Sequence, residues 1–181
     1  MRGAHAVAAT ALLAGCAIHT AVERDLSAVP PAKGIVVFST GSDDTSTVFA
    51  TALRLGNATT SAPLETASTD IVIDGSMVSS DFPDENGNVR MLDLEPGAYC
   101  FRAMPSNPYT HVTRAPDFAF RVEEGKISYV GNFYLTRAHG FEVRDRKERD
   151  LKVFFAANPG LQGHEVTTAP VTVVKNCGPP R

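Results

Sequence analysis

Alternation of apolar and polar residues over short segments is the feature that most constrains the fold of this chain. In the segment AYCFRAM (98–104), Tyr99 and Phe101 share one face, whereas Cys100 and Arg102 lie on the other. Side chains alternate across a β-strand with a period of two. The pattern therefore predicts short strands, each with one buried face.

Eight such segments, separated by turn residues, predict the framework of the domain. Short strands at this spacing are typical of an antiparallel β-sandwich, so we predict a mainly β, immunoglobulin-like sandwich with one C-terminal helix packed on it. An edge strand is also expected near 171–174. The eight segments cover residues 34–40, 46–55, 71–75, 89–94, 98–104, 117–125, 126–137 and 140–145.

The two most aromatic segments, 117–125 and 126–137, meet at Glu124-Gly125. A glycine at such a short junction predicts a tight hairpin that pairs the two strands. By the same period of two, we expect four side chains on one face of the second strand: Ile127, Tyr129, Phe133 and Leu135.

One helix is predicted late in the chain, at about 145–157. Leu151, Phe154 and Phe155 recur at helical spacing, and Pro159-Gly160 ends the pattern. This apolar stripe should be buried against the sandwich.

A charge run, RDRKERD (144–150), opens that helix. Asp145 followed by Glu148 resembles a capping box. Such a run is usually the solvated side of a helix start, and docking of a partner is the alternative.

The first sixteen residues are organised like a secretory signal. Met1-Arg2 supplies positive charge, and Ala6 to Ala14 form an apolar region far shorter than the roughly 20 residues that cross a bilayer as a helix. Leu13-Ala14-Gly15-Cys16 then resembles the lipobox of bacterial lipoproteins. The alternatives are a plain signal peptide with a chance cysteine, or a buried N-terminal helix.

The lipobox resemblance implies cleavage before Cys16, diacylglycerol on its sulfur, and a further acyl chain on its new amino group. Ala17, rather than Asp, follows the cysteine, which by the same resemblance implies the outer membrane, facing the periplasm. We therefore expect a signal peptide at 1–15, a lipidated tether at 16–33 and the β-sandwich domain at 34–181.

Composition bounds the possible functions. A net charge of −3 provides no basic patch for nucleic acid, and the absence of Trp argues against an aromatic sugar platform. Hydrophobic content of 43%, with ten Phe, is sufficient for a packed core.

The number of cysteines predicts one disulfide. With Cys16 lipidated, Cys100 and Cys177 remain, and an oxidising compartment favours a bond between them. Two unpaired buried thiols are the alternative. Because Cys100 should point away from the aromatic face of its strand, the bond would hold the C-terminal tail across the outside of the sheet.

We predict no catalytic residue and no cofactor. The chain lacks the motifs Gly-x-Ser-x-Gly, Ser-x-x-Lys, His-Glu-x-x-His and Cys-x-x-Cys. The loop DFPDENGN (81–88) offers oxygen ligands that suit calcium, although an Asn-Gly hairpin turn is the favoured interpretation. Its weak metal candidates are Asp81, Asp84, Asn86 and Asn88.

The body also carries a looser resemblance. A sequence segment of bacterial envelope lipoproteins is similar to two stretches of this chain, LDLEPGAYCFRA (92–103) and FRVEEGKISYVGNFYL (120–135). That resemblance spans roughly 70–161 and implies an immunoglobulin-like or carboxypeptidase-regulatory-like sandwich. It implies no catalytic residues.

These observations predict a membrane-anchored periplasmic lipoprotein that binds, scaffolds or maintains the envelope, and not an enzyme. Its expected partners are the membrane, through the lipid, and an envelope protein, with no nucleic acid. Two alternatives stay open: an enzyme whose site is assembled from distant loops, and a calcium or small-ligand module that uses the 81–88 loop.

Overall fold

A computed structural model describes residues 26–43, 51–58, 69–73, 80–105, 116–136, 140–175 and 177. These residues form a mainly β structure with one α-helix and a short 3-10 helix. The strands are β1 (Gly34–Ser42), β2 (Thr51–Asn57), β3 (Thr69–Val72), β4 (Asn86–Leu94), β5 (Gly97–Pro105), β6 (Asp117–Val122), β7 (Ile127–Leu135), β8 (Phe141–Arg144), β9 (Val166–Thr168) and β10 (Thr172–Val174). The helix is α1 (Lys147–Ala157), and the 3-10 helix spans Pro159–Leu161.

The strands form two sheets. The first has the order β4-β1-β7-β8, with β9 also paired to β7. The second has the order β10-β6-β5-β2-β3 and is antiparallel throughout. In the first sheet, β7 runs parallel to both β1 and β9. The prediction of a mainly β, two-sheet structure with one helix is confirmed, but a purely antiparallel sandwich is wrong.

An aromatic core joins the two sheets. We call it the inter-sheet core. At its centre, the ring centroid of Phe101 lies 5.0 Å from the ring centroid of Phe38 and 5.1 Å from that of Phe133. Both sheets contribute side chains that are almost fully removed from water, and this burial is the main driving force for their association. Its buried members are Val36, Phe38, Leu53, Leu55, Ile71, Ile73, Tyr99, Phe101, Phe118, Phe120, Val122, Val130, Phe133 and Leu135.

A second core lies between the first sheet and α1, so the described molecule has three layers. We call it the helix core. Phe154 is fully buried in it, and Leu151 and Phe155 are partly buried against it, as the apolar stripe predicts. Its buried members are Ile35, Val37, Phe82, Val89, Ile127, Tyr129, Phe154 and Leu161.

A β-bulge in β7 lets this one strand serve both cores. Val37 pairs with Tyr129, but Phe38 pairs with Gly131, so Val130 is the inserted residue. An inserted residue shifts the alternation by one position. Gly131 has φ of +115°, a backbone conformation that glycine tolerates and other residues rarely adopt.

The bulge overturns the expectation that four side chains of β7 share one face. Ile127 and Tyr129, before the bulge, point into the helix core. Phe133 and Leu135, after it, point into the inter-sheet core.

Two hairpin predictions are also wrong. β6 and β7 belong to different sheets, so the tight turn at Glu124-Gly125 carries the chain from one sheet to the other. Asn86-Gly87 forms the start of β4, where Gly87 is opposite Gly41 of β1. A Cβ on Gly87 would come within 2.3 Å of the Thr40 carbonyl oxygen, so close backbone approach, not a turn, explains that glycine.

Part of the predicted tether lies on the domain. Leu26 and Val29 pack against the helix core, and the amide of Leu26 donates to Asn158 Oδ1 at 3.3 Å. Residues 16–25 lie outside the described part of the chain. No helix in the described ranges has both the length and the apolar character needed to cross a bilayer.

Replacing Phe154 with Ala should lower the free energy of unfolding by about 3–5 kcal/mol, because a fully buried aromatic side chain is removed from the helix core. Urea unfolding followed by circular dichroism measures this change. Val173→Ala is the matched control, because Val173 is 64% exposed, and it should change stability by less than about 0.5 kcal/mol. Equal midpoints for Phe154→Ala and wild type would contradict the packing.

Candidate functional site

A buried polar cluster lies between α1 and the first sheet. It consists of Ser39 on β1, Tyr129 and Asn132 on β7, and Arg149 and Asp150 on α1, and we call it the Asp150 cluster. Ser39 and Asp150 are 0% exposed. These polar groups interrupt an otherwise apolar interface, and most buried polar groups in proteins are hydrogen-bonded. The exception in this cluster is Asn132 Oδ1, which is buried without a partner.

The carboxylate of Asp150 is the centre of the cluster. Its Oδ2 accepts hydrogen bonds from Ser39 Oγ at 2.6 Å and from Tyr129 OH at 2.7 Å. Its Oδ1 accepts from Arg149 Nε at 2.9 Å. Asn132 Nδ2 in turn donates to Ser39 Oγ at 2.7 Å, which orients that hydroxyl toward the carboxylate. Two strands and the helix are therefore joined through one carboxylate.

Two features keep the charges of this cluster compatible with burial. Arg149 pairs with Glu85 as well as with Asp150, and its guanidinium lies 3.6 Å from the centre of the Phe82 ring. Burial, and then the neighbouring Asp150 carboxylate, raise the pKa of Tyr129 well above its ordinary value. Tyr129 therefore stays a hydrogen-bond donor across the physiological pH range.

The chemistry available to the Asp150 cluster is structural. A serine hydroxyl beside a carboxylate has the elements of an activated nucleophile, but such a pair acts only if the hydroxyl is free to attack a substrate. The Ser39 hydroxyl and both Asp150 oxygens are already held by hydrogen bonds within the cluster. The hydrogen bonds of the cluster hold the first turn of α1 on the sheet.

Sequence reasoning missed this cluster. The charge run was expected to be solvated, and this is wrong for Asp150. The sequence signal for its burial is its position four residues before Phe154, which places both side chains on one helix face. The capping prediction is supported in part: Asp145 Oδ1 accepts from the amide of Lys147 at 3.0 Å, although the N-cap residue is Arg146 and makes no side-chain capping bond.

The second candidate site is the cysteine pair. The Cα atoms of Cys100 and Cys177 are 5.8 Å apart, and their sulfur atoms lie at disulfide-bonding distance. The predicted proximity is therefore confirmed. Tyr99 and Phe101 point into the inter-sheet core, so Cys100 lies on the opposite, outer face of the second sheet.

A charged pair supports the cysteines. The carboxylate of Asp117 accepts from Arg102 Nη2 at 2.9 Å and also from the amide of Cys177. Arg102 Nη2 additionally donates to the Cys177 carbonyl at 3.3 Å. Cys100, Asp117 and Cys177 place potential metal-ligand atoms within 4.8 Å of one another. A disulfide consumes both thiolates, however, and Asp117 is already bound to Arg102, so this arrangement stabilises the C-terminal tail.

The four weak calcium candidates occupy different surroundings. Asp81 Oδ2 accepts from the amide of Val89 at 2.8 Å, and Asp84 is exposed. Asn86 is the first residue of β4, and Asn88 is buried within the same strand. The calcium hypothesis stays a prediction. Cys16, the predicted lipidation site, lies outside the described residues.

Comparison with known proteins found no matching family model, no matching curated protein and no matching solved structure.

Removing the Asp150 carboxylate should be strongly destabilising. Asp150→Ala leaves the hydroxyls of Ser39 and Tyr129 without their acceptor and Arg149 without one of its two counter-ions, at a cost of about 3–5 kcal/mol. Chemical unfolding gives the value. Glu148→Ala, an exposed acidic residue on the same helix, should stay within about 0.5 kcal/mol of wild type. Similar losses for the two variants would contradict a special role for Asp150.

Cys100→Ser and Cys177→Ser should each lower the free energy of unfolding by up to about 4 kcal/mol, because the bond would close a loop of 77 residues in the unfolded chain. The double variant should lose no more than either single variant, since both lose the same bond. Oxidised wild type should resist a thiol-alkylating reagent at both positions. Rapid labelling of both cysteines in the purified protein would contradict the bond.

Proposed function

We propose that this chain is a lipid-anchored lipoprotein of the cell envelope, held at the outer membrane on its periplasmic side, with a binding or scaffolding role. The observation that carries the proposal is Leu13-Ala14-Gly15-Cys16 directly behind a short apolar region. A thiol is required at that point because its sulfur is the nucleophile that accepts the lipid. Two or more acyl chains make such an anchor stable, whereas one chain binds only marginally.

The cysteine pair supports an extracytoplasmic address. Disulfides form and persist in oxidising compartments such as the bacterial periplasm and are rare in the cytosol. Cys100 and Cys177 lie at disulfide-bonding distance, although they are 77 positions apart in the chain. An envelope lipoprotein would meet the conditions under which this bond forms.

The packing of Leu26 sets the geometry of the proposed anchor. Residues 17–25 are the nine positions between the lipidated Cys16 and the first described residue. Nine residues span at most about 30 Å when fully extended. Because Leu26 is hydrogen-bonded to Asn158, just after α1, the proposed tether would leave the domain beside the C-terminal end of that helix.

A non-enzymatic role is supported by the way the polar clusters are hydrogen-bonded. Ser39, Asp117 and Asp150 are engaged by neighbouring groups of the same molecule. Their hydrogen bonds connect structural elements to one another. The finer fold class that we propose is an immunoglobulin-like sandwich in which one sheet is mixed, and its support is the shared aromatic core between two five-stranded sheets.

Cys16→Ser tests the anchor. The variant should leave the membrane fraction or keep its signal peptide, and it should take up no radiolabelled palmitate, because the acceptor sulfur is absent. Cys177→Ser is the matched control: it also removes one sulfur but should remain acylated in the membrane fraction. A Cys16→Ser protein that fractionates and migrates like wild type would overturn the proposal.

A second variant tests whether the lipidated protein is sorted to the outer membrane. Ala17→Asp should move the lipidated protein to the inner membrane on a sucrose gradient without changing palmitate incorporation. An unchanged distribution between the two membranes would contradict the outer-membrane assignment while leaving the anchor itself intact.

A further inference from the structure

One buried arginine in the described residues has two nitrogen atoms without a hydrogen-bond acceptor. Arg90, on β4, is 5% exposed, and its Nε and Nη1 atoms have no hydrogen-bond partner. Arginine stays protonated in proteins, and a buried charge without a partner is strongly unfavourable. A buried unsatisfied group of this kind requires a physical explanation, such as an ion or another ligand that completes the site.

The side chain of Arg90 points between the two sheets. Its neighbours Val89 and Met91 belong to the helix core, whereas Leu92 and Leu94 pack against the inter-sheet core. Alternation along β4 therefore places Arg90 on the inter-sheet side.

The same end of the inter-sheet layer carries a second unsatisfied group. Thr40, which follows Val36 and Phe38 at alternate positions on β1, shares their inter-sheet face. It is 0% exposed, and its Oγ1 has no hydrogen-bond partner. Phe38 is the cross-strand partner of Arg90, so Thr40 is the diagonal neighbour of Arg90 on that face. A guanidinium and a hydroxyl together are the donors that recognise a carboxylate or a phosphate.

Burial is a stronger influence on the charge of Arg90 than its attraction to Asp81. Asp81 attracts it electrostatically, but the Asp81 carboxylate accepts from the Val89 amide and is exposed. Burial outweighs that attraction and lowers the pKa of Arg90. Arg102 shows the contrast, since its guanidinium donates from two nitrogen atoms to the carboxylate of Asp117.

We propose that Arg90 and Thr40 form a binding site for the carboxylate or phosphate group of a small ligand, between the sheets at the β4 side of the sandwich. β4 is the outermost strand of the first sheet, so a ligand that enters between the sheets on this side would pass no other strand of that sheet before it meets Arg90. The site gives the molecule a ligand-binding activity beyond the anchor, and it does not depend on Cys16.

The test is an NMR titration of the purified full chain, solubilised in detergent, with inorganic phosphate or with acetate as the probe. Ionic strength is held constant with sodium chloride. The arginine side-chain Nε–H resonance that disappears in Arg90→Met identifies Arg90. We expect this resonance to shift with saturation, and the phosphate and acetate arms distinguish the two ligand chemistries by their affinities.

Variants separate a specific site from general anion effects. Arg90→Met should weaken binding of the preferred anion by about tenfold or more, as expected for loss of a charge-assisted hydrogen bond. Thr40→Val, which preserves the shape of the side chain, should weaken it less. Arg121→Met removes an exposed arginine from β6 and should bind like wild type.

The wild-type titration is decisive even if Arg90→Met fails to fold, because an Arg90 Nε–H resonance can then be assigned through bond correlations in wild type. No saturable shift of that resonance with either anion would overturn the proposal. Equal shifts of Arg90 and the exposed Arg121 would also overturn it, because they would show only a general ionic effect.

Discussion

The described architecture depends on a carboxylate that has no contact with water. Asp150 accepts hydrogen bonds from a strand-borne serine, a strand-borne tyrosine and its neighbouring arginine, and so joins β1, β7 and α1 at one point. Apolar packing around Phe154 attracts the helix to the sheet but is non-directional. The Asp150 cluster adds the direction, because its hydrogen bonds are satisfied in only one arrangement of helix and sheet.

That arrangement is possible because β7 changes its facing direction at Val130-Gly131. Tyr129 reaches Asp150 on the helix side, whereas Phe133 joins the aromatic core between the sheets. Without the inserted residue, both side chains would lie on one side of the first sheet. Because of this bulge, β7 contributes a hydrogen-bond donor, Tyr129, to the interface with α1 and an aromatic side chain, Phe133, to the inter-sheet core.

Much of the fold could be predicted from the sequence because alternation and turn residues are local properties. Most strand positions, the helix and the apolar role of Phe154 follow from short segments, whereas β9 was not predicted. Strand partners depend on contacts between residues that are distant in the chain. The change of sheet at Glu124-Gly125 and the parallel pairing of β1 with β7 therefore could not be predicted from short sequence segments. Two sequence features do indicate the elements that were missed. A glycine in the middle of β7, Gly131, marks the bulge. The spacing of four residues between Asp150 and Phe154 indicates that Asp150 lies on the buried face of the helix.

A double-mutant cycle between Tyr129→Phe and Asp150→Asn tests the central claim most directly, namely that the helix is held on the sheet through the Asp150 carboxylate. Unfolding free energies of wild type, both single variants and the double variant give the coupling energy. We predict a coupling of about 1.5–3 kcal/mol, the range for hydrogen bonds to charged groups. Tyr134→Phe, whose hydroxyl donates to Asp43, is the control and should be additive with Asp150→Asn. A coupling near zero between Tyr129 and Asp150 would contradict the account.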